Sequence, residues 1–169
     1  MRSLSLLILV CCAVSLYSCA DSEDEGPLSP LIGDWESRSY SDSLEVWFVD
    51  TYTFRNDSIF DITSSVRTTE IGEDLGYRMI STSWYNLEGD IFQYYYADAL
   101  IYFGGGENAP LYVPKKDLSP GIVDFFRIPK GKLTFSNDLR QFTFQEDCWA
   151  VNETNDCIEF PAQTFVRVD

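Results

Sequence analysis

The sequence predicts an all-β chain, an antiparallel up-and-down β-barrel of about eight strands, with a two-sheet β-sandwich as the alternative architecture. Three observations carry that expectation. Apolar and polar residues alternate over short runs from Leu31 onward, with little trace of the helical period. Clusters of Asn, Asp, Gly and Ser recur between the runs as turn signals. The runs are rich in β-branched and aromatic side chains, which suit a pleated, half-buried surface. Successive hairpins favour antiparallel neighbours, and closing the sheet on itself removes its exposed edges, which ranks the barrel above the sandwich.

The elements follow in order. Residues 34–40 open the series. Residues 44–54 put Leu44, Val46, Phe48, Tyr52 and Phe54 on one face, and Asn56-Asp57-Ser58 turns the chain into a strand over 59–66. A break at 73–76 precedes a strand over 77–86, and Glu88-Gly89-Asp90 returns it along 91–97, which carries Tyr94-Tyr95-Tyr96. A weaker segment lies near 122–128. Residues 131–135 pair across Ser136-Asn137-Asp138 with 139–144, and 163–168 close the series at eight or nine strands. The longest irregular stretch, 104–121, contains Gly104-Gly105-Gly106 and the adjacent Lys115 and Lys116. It reads either as a lid at a barrel mouth or as a solvated insertion.

Composition narrows the function classes. The 169 residues carry 12 Lys and Arg against 27 Asp and Glu, a formal charge of −15. Such a field repels phosphate backbones, so no nucleic-acid partner is expected. The chain has no histidine, which removes Ser-His and Cys-His nucleophilic catalysis and imidazole metal sites. No carboxylate pair stands out in its spacing. The expectation is a protein without catalytic residues, metal or cofactor.

The N-terminus reads as an address. Arg2 precedes an apolar run over 4–16, which as a helix spans only ~20 Å, short of a ~30 Å hydrocarbon core. Leu16-Tyr17-Ser18-Cys19 resembles the lipobox of bacterial lipoproteins. That resemblance implies a signal peptide over 1–18, cleavage before Cys19, and a lipidated Cys19 holding the protein to the outer membrane. Residues 19–30 then form an acidic tether. Its Asp21-Ser22-Glu23-Asp24-Glu25 resembles the export signal of surface lipoproteins of the Bacteroidota, which implies cell-surface display, the periplasmic face being the alternative. Residues 31–169 remain as the folded domain. Asp42-Ser43-Leu44 and Asp57-Ser58-Ile59 resemble the short O-glycosylation sites of proteins exported by the same group.

Cys11 and Cys12 leave with the signal peptide, so Cys148 and Cys157 are left as an even pair in an exported protein, which reads as a disulfide. A redox or metal pair is the rival reading, without a Cys-x-x-Cys spacing to support it.

Gly33-x-Trp35 opens the first strand, and with the hairpin series the chain over 31–169 resembles the lipocalin-like domain of many bacterial lipoproteins. The resemblance implies that Trp35 plugs one end of the barrel and that Arg167 stacks across it, a cation–π contact of roughly 0.5–2 kcal/mol. The central Thr-Asp-Tyr motif and the helix before the last strand are missing from this chain. A barrel of this kind implies a cavity for a small apolar or amphipathic ligand. Phe48, Asp50, Tyr52, Arg78, Trp84, Tyr94 and Tyr96 are the candidates to line it. Asp50 interrupts an apolar face. It either points inward, with Arg78 as its partner and polar anchor for a ligand, or marks a bulge or edge. A protein of another class stays open: a surface interaction module, accessory subunit or inhibitor, acting through its exterior and the 104–121 loop.

Overall fold

Alternation needs only short turns to become a sheet, and in the computed structural model of the protein it does so almost throughout. Residues 29–106, 108–123, 128–150 and 157–168 are described; the segments expected as signal peptide and most of the acidic tether, with Cys19, lie outside them. The strands are β1 (Gly33–Ser41), β2 (Val46–Phe54), β3 (Ile59–Arg67), β4 (Gly76–Glu88), β5 (Ile91–Ile101), β6 (Ser119–Gly121), β7 (Lys130–Phe135), β8 (Gln141–Glu146), β9 (Trp149–Ala150), β10 (Cys157–Ile158) and β11 (Gln163–Val168). Eight of them close into an antiparallel barrel in the order β1-β2-β3-β4-β5-β7-β8-β11, with β11 pairing back onto β1. Short β6 pairs with the far half of β5 outside this ring, and β9 and β10 form a separate ribbon. Of the weak segment near 122–128, residues 122, 123 and 128 are not in a strand, and 124–127 lie outside the described residues. Pro120 and Gly121 stand just before it, and the strand there is limited to three residues.

The register gives the barrel two unlike ends. At one, the connections are the tight turns after β2, β4 and β7, and the chain runs in through Ser29–Ile32. Asn56 shapes the first of these turns, its side-chain oxygen accepting from the N–H groups of Ser58 (2.9 Å) and Ile59 (2.8 Å). At the other end lie the long connections after β3, β5 and β8.

The tight end is plugged. Trp35 is fully buried, its indole N–H donating to the Leu31 carbonyl at 2.6 Å. The Arg167 guanidinium lies 4.5 Å from the Trp35 ring centre and donates to the carbonyls of Ile32 (3.2 Å) and Pro30 (2.6 Å). Gly33 sits at φ +118°, a backbone conformation that favours glycine, beside the Arg167 guanidinium. Above the plug the interior is packed with rings. Phe54, Phe60, Phe92, Phe142 and Phe165 are all essentially inaccessible, with Phe142 and Phe165 stacked at 4.8 Å and Phe54 and Phe60 at 4.9 Å. This part of the barrel is core.

The outer face carries a second buried feature. Glu36 on β1 and Arg67 on β3 face outward, yet both are buried under the connection after β3. Arg67 grips Glu36 through two nitrogens (2.8 and 3.2 Å), Arg38 adds a third contact at 2.7 Å, and the Arg67 Nε reaches Asp74 at 2.7 Å. Ser65 also donates to Asp74, at 2.7 Å. The guanidiniums overcome the burial that alone raises the Glu36 pKa, and hold it below the usual carboxylate value.

Candidate functional site

Toward the open end the inward side chains change character. The ring layers give way to Asp50 and Tyr52 on β2, Ser64 on β3, Tyr94 and Tyr96 on β5, Glu146 on β8 and Gln163 on β11. Together with Ile62, Met79, Phe144, Phe160 and Pro161 they line a cavity of about 250 Å³. Aromatic rings form its floor and polar groups its wall. Gly131 on β7 stands opposite Glu146, and a β-carbon there collides with the β8 backbone, so the two strands approach closely only because glycine is present.

Asp50 points inward. Ser64 donates to it at 2.5 Å, and burial raises its pKa above the ordinary aspartate value, with that hydrogen bond and the charge of Arg78 pulling the other way. No direct Asp50–Arg78 ion pair forms. The β3–β4 register slips between Ser64 and Ser65, which leaves Arg78 as the extra residue of a bulge, and its guanidinium rests 5.2 Å from the Phe48 ring at the rim. The bulge is therefore at Arg78 and not at Asp50. Tyr52 and Tyr94 are buried and Tyr96 half-buried, with the Tyr94 and Tyr96 hydroxyls 3.4 Å apart. Burial raises the Tyr52 pKa, and Tyr96, Asp50 and Glu146 push it in the same direction, a sign that all three face one space.

Trp84 does not join them. It pairs with Ile59 and Tyr95 on the outer face and is 58% exposed. The parity that groups Arg78 with Ile80 and Trp84 fails at the bulge, so Arg78 reaches the rim while the other two lie on the outer face. Sequence reasoning missed Glu146, whose signal was its place two residues beyond Phe142 and Phe144 on an alternating strand. Ser64 was missed as well, since a serine in a strand carries no mark of the carboxylate across the pair.

The 104–121 loop folds back beside the start of β4. Tyr77 and Val113 exchange backbone hydrogen bonds at 2.8 and 3.1 Å, and Leu118 is buried. Lys115 and Lys116 lie exposed in a single 3₁₀ turn. Beside β6 a shallow groove of about 540 Å³ runs over the outer face of β4 and β5, with Tyr95, Leu100, Ile122 and Ile128 among its walls. Cys148 and Cys157 are disulfide-bonded, Cα atoms 5.5 Å apart, and join β9 to β10 in the long connection before β11. Ser43 and Ser58 are both exposed in hairpin turns. Among the described residues no group of three or more Cys, Asp and Glu is placed to hold a metal ion, and no helix is long and apolar enough to cross a membrane. Set against models of protein families, curated proteins and solved structures, the chain matches none of them.

Proposed function

We propose that the protein is a non-catalytic lipoprotein of the outer membrane, held by an acylated Cys19 and facing the cell surface, whose barrel binds a small amphipathic molecule in the cup at its open end. The cup carries this reading: a cavity of about 250 Å³, floored by rings and walled by Asp50, Ser64, Glu146 and Gln163. An apolar recess with a few fixed polar groups is the usual form of a ligand site. The volume is small, because the plugged half is filled with side chains, and it favours a compact ligand over a long acyl chain. The Leu16-Tyr17-Ser18-Cys19 motif and the acidic residues after it support the anchor and the outward orientation.

Two measurements test the proposal. Mass spectrometry of organic extracts from the purified protein should find a retained small molecule that a variant with Tyr96→Trp, filling the cup, releases. Cys19→Ala should move the protein from the membrane to the soluble fraction. Extracts that contain nothing in both forms remove the binding role, and a Cys19→Ala protein that stays with the membrane removes the anchor.

A second reading, an interaction module, is favoured by the exposed Trp84 and Tyr95 and by the groove beside β6. Crosslinking on intact cells separates the two. Partners lost on shortening the 104–121 loop, with the cup's contents unchanged, favour the exterior.

A further inference from the structure

The chemistry of the cup selects the class of its occupant. Among the described residues its lining contains two carboxylates, Asp50 and Glu146, and no Lys or Arg. Among the described residues, the charged and titratable groups that face it are Asp50 and Tyr52 from β2, Tyr94 and Tyr96 from β5, and Glu146 from β8. The strands β3 and β11 contribute the neutral Ser64 and Gln163. Arg78 from β4 stays at the rim, over Phe48, beyond ion-pair distance of Asp50. Among the described residues the one hydrogen-bond donor to Asp50 is Ser64, at 2.5 Å. A carboxylate accepts several hydrogen bonds, so Asp50 keeps acceptor capacity directed into the cavity. Aromatic faces carry negative potential, and three tyrosine rings stand here within 5.4 Å (Tyr94–Tyr96) and 6.5 Å (Tyr52–Tyr94) of one another. A fatty acid brings its own carboxylate into this negative space and is opposed by it. An ammonium group finds both of the partners it needs, a desolvated carboxylate and ring faces.

We propose that the occupant of the cup is a compact organic cation, an ammonium compound of about the bulk of a single ring, held between the Asp50 carboxylate and the rings of Tyr52, Tyr94 and Tyr96. This rests on the reading that the cup is the binding site. The burial that raises the Asp50 pKa also makes an incoming positive charge more welcome there, and binding weakens as acid protonates that carboxylate.

The test is calorimetric titration of the purified full chain with benzylammonium, with its neutral counterpart benzyl alcohol, and with decanoate. Benzylammonium should bind and the other two should not. Asp50→Asn, isosteric and uncharged, should weaken benzylammonium binding by roughly tenfold or more. Tyr96→Leu should weaken it as well, while Trp84→Ala on the outer face leaves it unchanged. Equal binding of benzyl alcohol, preferential binding of decanoate, or indifference to Asp50→Asn each overturns the cation and leaves the cup standing as a site. Failure of all three probes to bind overturns both.

Discussion

A carboxylate inside a barrel is costly when nothing positive touches it, and among the described residues Asp50 has the Ser64 hydroxyl and a guanidinium at the rim. Its pKa is raised in the folded state, so between its unfolded and folded values the native protein binds more protons than the unfolded chain. Its contribution to stability therefore improves as pH falls through the folded value, and is least favourable at neutral pH. Asp50→Asn keeps an acceptor for Ser64 and removes the charge. It should raise the melting temperature at pH 7, and the gain should shrink as the pH is lowered. Glu36 has the opposite sign. Its pKa is depressed by Arg67 and Arg38, so its stabilisation is present above the unfolded value and is lost as pH falls through the folded one. Glu36→Gln leaves two guanidiniums beside a neutral amide. The cost should be about 2–3 kcal/mol in urea unfolding at pH 7, between the ranges for exposed and fully buried pairs, and should vanish in acid.

At the level of strands, alternation and turn chemistry made most of the barrel legible. Residues 44–54 and 59–66 read as a hairpin because Asn56-Asp57-Ser58 can hardly be anything else, and Gly33-x-Trp35 marked the plugged end. What alternation could not supply was phase. In β4 a single bulge at Arg78 reverses which parity faces the interior, and a second register shift lies between Thr82 and Ser83. The extra residue of that second shift is Ala97 on β5, so each of the two paired strands changes phase once, and Trp84 was misplaced because its parity was counted from Arg78. Contacts distant along the chain were equally invisible: Glu36 and Arg67 are 31 positions apart and meet only because β1 and β3 flank β2. The disulfide was read from the parity of cysteines in a chain expected to be exported. It closes a loop of about ten residues between β9 and β10, so reduction or a double Cys148→Ser, Cys157→Ser change should cost about 2.5–3 kcal/mol. The loss belongs to the connection above the open end, and the near-ultraviolet signal of the ring-packed half should survive it.

Over the whole molecule, acidic charge sets the behaviour. A formal −15 on a chain of 169 residues repels itself in the compact state. Screening should relieve that repulsion, so the melting temperature should rise between about 0.01 M and about 0.5 M sodium chloride, and calorimetry at fixed pH checks it. A fall with salt would mean that attractive pairs such as Glu36–Arg67 outweigh the repulsion. The barrel's own asymmetry has a practical result. Ser29, where the described chain begins, and Val168, where it ends, both lie beside the Trp35 plug, since β1 leaves that end and β11 returns to it. A tag joined directly before Ser29 or after Val168 would start beside the stopper. The described chain therefore enters and leaves at one pole, and the cup opens at the other.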